Sequence, residues 1–200
     1  MSLVTLPAPD FTASAILKNG DIVNNFNLKK FVNNKYSIIF FWPMDFTFVC
    51  PSELISLDNA YSHFEKRKVQ IIGISIDSVF VHNAWRNTDR QNGGIGPVKY
   101  VMVSDIKRKI QKLYGIEHPI LGVALRASFI IDKHGIIRHQ VVNDLPFGRN
   151  TQEFLRIIDA IEHTEKVGEV CPANWKKGKE GMTPSSLGVK TFLTKHSNSL

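Results

Sequence analysis

An apolar run, Ser37-Ile38-Ile39-Phe40-Phe41-Trp42, leads directly into Pro43, and Cys50-Pro51 follows within one short loop. A run of β-branched and aromatic residues stopped by proline describes a strand covered on both faces. Pro51 has no N–H to donate, so it suits the first turn of a helix. Glu53 puts an acid in that turn, where the helix dipole favours one. Leu54, Leu57, Ala60, Tyr61 and Phe64 recur at helical spacing, which predicts a helix over Ser52–Arg67. The chain is thereby constrained to an α/β fold with a thiol held where a buried strand gives way to a helix.

That position has chemical consequences. The first N–H groups of a helix are free, and with the dipole they stabilise an anion. A thiolate, not a thiol, is the reactive form of cysteine. A free thiol is only about 3% ionised at neutral pH, so full ionisation is a gain of roughly 30-fold, about 2 kcal/mol. Catalysis needs further groups that stabilise charge in the transition state. Thr47 lies one helical turn before Cys50, and its hydroxyl both donates and accepts. Arg126 opens the strand-like run Ala127-Ser128-Phe129-Ile130-Ile131 with a permanent charge that can hold a thiolate and a substrate oxygen together. Taken singly, each residue has a plainer reading: a surface arginine, a threonine cap, a small buried cysteine. The joint pattern is what carries the chemistry.

The rest of the chain fits a sheet covered by helices. Strand-like runs occur at Val69–Ile76, Tyr100–Val103, Ala127–Ile131 and Ile136–Val142. Helical spacing occurs at Val79–Asn87, Ile106–Tyr114 and Thr151–His163. Asp105 is placed to cap the third helix, and Asn150 or Thr151 the last. Asp132-Lys133-His134-Gly135 reads as a hairpin turn, so the sheet is mixed. The tail after Trp175 is rich in Lys, Gly, Ser and Pro and reads as an extended arm.

Asp45-Phe46-Thr47-Phe48-Val49-Cys50-Pro51, with Ser52-Glu53, resembles the active-site signature of the typical two-cysteine peroxiredoxins. Pro43, Thr47 and Cys50 have the spacing of that family's P-x-x-x-T-x-x-C motif. Gly168-Glu169-Val170-Cys171-Pro172-Ala173-Asn174-Trp175 is similar to its resolving-cysteine motif, and Ala124-Leu125-Arg126 and Asn143 to Arg149 also match. The resemblance runs from about Pro7 to Phe192.

The resemblance implies a thioredoxin-like fold with a mixed central sheet flanked by helices. It places the peroxidase domain in residues 1–165 and the arm with the resolving cysteine in 166–200. Cys50 is implied to attack a peroxide and become a sulfenic acid. Thr47 is implied to orient thiolate and peroxide, Arg126 to stabilise developing charge, and Pro43 to shield the pocket from water. Glu53 and Arg149 are implied to position Arg126. Cys171 is implied to resolve the sulfenic acid as a disulfide between two subunits. A homodimer follows, with rings of five dimers as a further assembly. A thioredoxin-like or dedicated disulfide reductase is the implied electron donor, and no cofactor is required. Gly93-Gly94-Ile95-Gly96 lacks the strand before it and the Lys-Ser/Thr after it that a nucleotide loop needs, and reads by itself as a flexible turn. It is also similar to the glycine-rich insertion of easily over-oxidised peroxiredoxins. Those proteins pair it with Tyr-Phe in a C-terminal helix; here the place reads Thr191-Phe192.

Composition bounds the alternatives. The N-terminus has no charged and apolar leader pattern, and no apolar run approaches about 18 residues, so a cytosolic protein without a membrane span is expected. Two cysteines in that setting suit redox chemistry, and their distance in sequence excludes a C-x-x-C dithiol carrier. The net charge of +7 is carried largely by Lys107-Arg108-Lys109 and Lys176-Lys177-Gly178-Lys179, which read as solvated faces and not as a nucleic-acid site. The histidines, His134 and His139 among them, show no metal spacing. A chaperone or peroxide sensor on the same fold is the remaining competitor.

Overall fold

The strand before the cysteine loop, Tyr36–Phe41, is buried at every residue. It lies inside a seven-stranded mixed sheet of order β2-β1-β5-β4-β3-β6-β7. The strands are β1 (Thr12–Ile16), β2 (Ile22–Asn27), β3 (Tyr36–Phe41), β4 (Val69–Ser75), β5 (Val101–Ser104), β6 (Arg126–Ile131) and β7 (Ile137–Asn143). The structure is a computed structural model and describes Ser2–Ser199. β3, β4 and β5 are parallel, and the strands outside them pair antiparallel. This is the thioredoxin-like, helix-flanked sheet expected.

Both faces of β3 are apolar because both are covered. Ile39 and Phe41 align with Ile72, Ile74 and Phe129, and join a cluster with Leu28 and Val32 of α1 (Leu28–Val32) and with Ile110 and Tyr114 from the segment after β5. On the other face, the Phe40 and Trp42 rings stack at 5.4 Å. Their neighbour on β4 is Gly73, where an added Cβ would sit 2.7 Å from both rings. The missing side chain at Gly73 makes room for the aromatic layer behind the cysteine loop.

The helices depart from the expected ranges at particular points. The helix expected over Ser52–Arg67 divides at Ala60 into α2 (Cys50–Asn59) and α3 (Tyr61–Lys66). α4 (Val79–Asn87) has the expected bounds. α5 is confined to Lys109–Leu113, because the Asp105 carboxylate accepts from the N–H groups of Lys109, Ile110 and Gln111 and so starts the helix there. Gly93–Gly96 is tied down and not a loose turn: Trp85 Nε1 donates to the Gly93 carbonyl at 2.9 Å, and Ile95 is fully buried. β1 and β2 were not expected.

The chain divides into two compact units, Met1–Thr151 and Gln152–Leu200. The first holds the sheet and α1–α5. The second holds nearly all of α6 (Thr151–Val167), the loop with Cys171, and α7 (Ser186–His196). The division comes near the start of α6, whereas the sequence puts the arm at 166. Within this second unit the arm is tied to α6: Arg156 Nη1 donates to the Trp175 carbonyl at 3.1 Å, and the His163 ring lies 4.9 Å from that of Trp175. The tail after Trp175 is not extended throughout. The Ser185 hydroxyl accepts from Gly188 N–H and starts α7, in which Phe192 is buried and Thr191 is exposed.

Candidate active site

The loop from Pro43 to Val49 is short and internally braced. Pro43 and Asp45 are buried. Phe46 has φ of 52°, in the left-handed region that non-glycine residues seldom occupy. The loop delivers Cys50 as the first residue of α2, with Val49 as N-cap and Pro51 directly behind it. The Cys50 side chain is buried.

Two groups meet its sulfur. Thr47 Oγ1 lies 2.8 Å from Cys50 Sγ, and Arg126 Nη1 lies 3.2 Å from it. Thr47 Oγ1 is also 2.9 Å from the Met44 carbonyl. A hydroxyl has one proton, and a carbonyl can only accept. Thr47 therefore serves the carbonyl while the sulfur is a thiol that donates, and can turn its proton to the sulfur once that is a thiolate.

Arg126 is held by a buried network. Its Nη1 also donates to Glu53 Oε2 at 2.8 Å, and its Nε to the Leu145 carbonyl at 2.6 Å. Glu53 is three residues after Cys50 and so shares its face of α2. Arg149 grips the same carboxylate through Nε at 2.7 Å, Nη2 at 2.9 Å and its backbone N–H at 2.9 Å. Arg149 is itself fixed by the Ala127 carbonyl and the Ser128 hydroxyl. One carboxylate between two guanidiniums leaves a net positive charge beside the sulfur. Burial alone would raise the Glu53 carboxyl, but the hydrogen bonds and charge of Arg149, with Arg126 behind them, outweigh it and hold it below its ordinary range.

A second buried network supports the loop and was not singled out in the sequence. Trp42 Nε1 donates to Asp45 Oδ1 at 2.9 Å, and His82 Nδ1 lies 2.7 Å from Asp45 Oδ2. His82 Nε2 faces the Val103 carbonyl at 3.2 Å, which can only accept, so Nε2 is protonated. A further proton then lies between Nδ1 and Asp45. Burial pushes the Asp45 carboxyl up, and His82 acts against that rise. Asp77 accepts from the Asp45 N–H at 2.8 Å and clamps the loop backbone. Asp45 and His82 are too far apart in sequence for spacing to reveal them. The only available signal was a histidine on the apolar side of α4.

The first unit thus gathers Cys50, Thr47, Arg126, Glu53 and Arg149, with Pro43 buried in the same loop. Cys171 belongs to the second unit, half-buried, with Sγ 3.7 Å from the Ala160 carbonyl oxygen. Both cysteines are free thiols. Among the described residues no group of three or more His, Cys, Asp or Glu could hold a metal, and no helix is long and apolar enough to cross a membrane.

The chain is similar to known proteins over nearly its whole length. Residues 4–140 match the model of the AhpC/TSA family, and residues 160–195 match the C-terminal domain of 1-Cys peroxiredoxin. The chain is 65% identical over 195 residues to an alkyl hydroperoxide reductase C of Buchnera aphidicola, covering 98% of each. It is 47% identical to that of Helicobacter pylori, again over 98% of each. Among solved structures, the reduced 2-Cys peroxiredoxin of Plasmodium vivax superposes with a TM-score of 0.93 at 46% identity, covering 97% of this chain and all of that one.

Proposed function

Because the chain belongs to the AhpC/TSA family, we propose that it is a thiol-dependent peroxidase that reduces hydrogen peroxide and organic hydroperoxides to water and alcohols. The observation that carries this reading is the pair of donors, Thr47 at 2.8 Å and Arg126 at 3.2 Å, around one buried sulfur. Relatives named alkyl hydroperoxide reductase and 2-Cys peroxiredoxin support the substrate class.

The Cys50 thiolate attacks one peroxide oxygen, an S–O bond forms, and the O–O bond breaks. The departing oxygen takes up a proton and leaves as water or alcohol, and Cys50 becomes a sulfenic acid. Thr47 and Arg126 donate to the oxygens on which charge develops, from positions fixed by the fold. Glu53 and Arg149 keep Arg126 in place, and Pro43 closes one side of the pocket to water. Cys171 of a second subunit then attacks the sulfenic sulfur, the S–S bond forms, and water leaves.

A thioredoxin-like or dedicated disulfide reductase returns the two electrons. The working unit is a homodimer, assembling further into a ring of five dimers, and its place is the cytoplasm, in antioxidant defence. The match of residues 160–195 to a model named for one-cysteine proteins favours a second reading, in which Cys171 takes no part. One equivalent of hydrogen peroxide added to reduced protein decides between them on a non-reducing gel. A covalent dimer that requires both Cys50 and Cys171 supports the two-cysteine cycle. A stable Cys50 sulfenic acid with no dimer supports the other.

A further inference from the structure

The sulfur of Cys171 is packed against α6 of its own unit, 3.7 Å from the Ala160 carbonyl oxygen and 3.8 Å from the Thr164 hydroxyl. Its neighbour Val170 exchanges two backbone hydrogen bonds with Met182, each 2.9 Å, so the segment between them is a closed loop. His163, on the last turns of α6, is where that loop is fastened. Its Nε2 lies 2.9 Å from Glu169 Oε2, and its ring lies 4.9 Å from that of the buried Trp175. Trp175 is held in turn by Lys179, whose carbonyl accepts from Nε1 at 3.0 Å.

Gly181 completes the arrangement. A Cβ there would lie 2.9 Å from His163 Nε2 and would collide with the Glu169 carboxylate. The nearby charges are committed to other pairs: Lys166 with Glu162, Lys177 with Asp159, and Lys195 with Glu180. Glu169 is therefore the acid that serves His163.

We propose that His163 is a positioning residue for the resolving step: with Glu169 and Trp175 it latches the Cys171 loop onto α6, and opening of that latch sets how fast Cys171 becomes available to the Cys50 sulfenic acid. The assignment of the step rests on the peroxidase reading; the latch is a property of the arm alone. The step is balanced within the protein. The Cys171 sulfur attacks the sulfenic sulfur, the S–S bond forms, the S–O bond breaks, and the departing hydroxide leaves as water with the Cys171 proton. A slow opening lengthens the life of the sulfenic acid and exposes it to a second peroxide, which gives sulfinic acid.

The test separates the two layers. In a Cys50→Ser background, native Cys171 is labelled with iodoacetamide, without any peroxide chemistry. His163→Phe keeps the ring against Trp175 and loses the bond to Glu169. Gly181→Ala keeps every other side chain and drives the carboxylate away. Each should raise the labelling rate roughly three- to tenfold, the effect of losing one hydrogen bond. With both cysteines present, the same variants should form disulfide faster by a similar factor and accumulate less sulfinic acid per turnover, while the rate of Cys50 oxidation stays the same. Labelling at the parent rate in both variants overturns the latch. Faster labelling without faster disulfide formation, or a parallel change in Cys50 oxidation, overturns its role in the resolving step. Failure of peroxide to oxidise Cys50 in the parent protein would count against the peroxidase reading, and the labelling rates would still judge the latch.

Discussion

The guanidinium of Arg126 touches the Cys50 sulfur at 3.2 Å while the same Nη1 is held at 2.8 Å by Glu53. One cation is thus aimed by a carboxylate that is itself part of the cysteine helix. The position of the charge relative to the sulfur is set by α2, β6 and the segment that carries Leu145 and Arg149, and does not depend on a mobile surface side chain.

Arg126→Ala should slow oxidation of Cys50 by hydrogen peroxide by roughly two to three decades, about 3–4 kcal/mol of transition-state stabilisation. Rapid-mixing measurements of thiol loss check it. Unaltered kinetics would remove Arg126 from the site.

Thr47→Ser keeps the hydroxyl beside Sγ, and Thr47→Val keeps the shape without it. The valine variant should lose about tenfold or more in the same rate, while serine retains most of it, because the hydroxyl alone can turn its proton from the Met44 carbonyl to the sulfur. A valine variant as fast as the serine variant would show that the hydroxyl contributes no more than the methyl.

Glu53 predicts a pH dependence. Its carboxyl is held below its ordinary value by Arg149 and Arg126, so it adds stability at pH above the unfolded value of 4.5, and loses it as pH falls through the lower folded value. Glu53→Gln leaves two buried guanidiniums without their shared anion, at a cost of about 3–5 kcal/mol at neutral pH. Denaturant unfolding of parent and variant should show that gap near pH 7 and a shrinking gap below about pH 4.5. A gap that does not change with pH would mean that the carboxylate charge is not what holds the pair.

The disulfide of the proposed cycle joins two subunits. Cys50→Ser and Cys171→Ser proteins, mixed and oxidised, should therefore give a covalent heterodimer on a non-reducing gel once subunits exchange. Wild-type protein that runs only as an oxidised monomer would refute the intersubunit assignment.

The legible part of the molecule is the part where local sequence and tertiary structure agree. The run into Pro43, the cysteine before Pro51, the bounds of α4 and the cap at Asp105 all follow from chemistry within a few residues. β1 and β2 do not. Their pairing carries an irregularity between Ala13 and Ala15, and β2 contains Asn24 and Asn25, residues that strands disfavour. α7 buries only Phe192, too little to give an apolar stripe. Arg126 and Glu53 were expected at the site, and their contact follows from that expectation. The Asp45–His82 contact and the His163–Glu169 contact were not expected, because neither lies in a pattern of spacing; each exists only once the sheet, or the arm on α6, has formed.

Peroxide stoichiometry in single-cysteine variants bears on Cys50 with the fewest assumptions. Reduced Cys171→Ser protein should lose one thiol per added hydrogen peroxide, with a mass gain of about 16 Da, the single oxygen of a sulfenic acid. Cys50→Ser protein, with Cys171 intact, should consume no peroxide on that timescale. Normal turnover by the Cys50→Ser protein would contradict the assignment of Cys50 as the attacking residue.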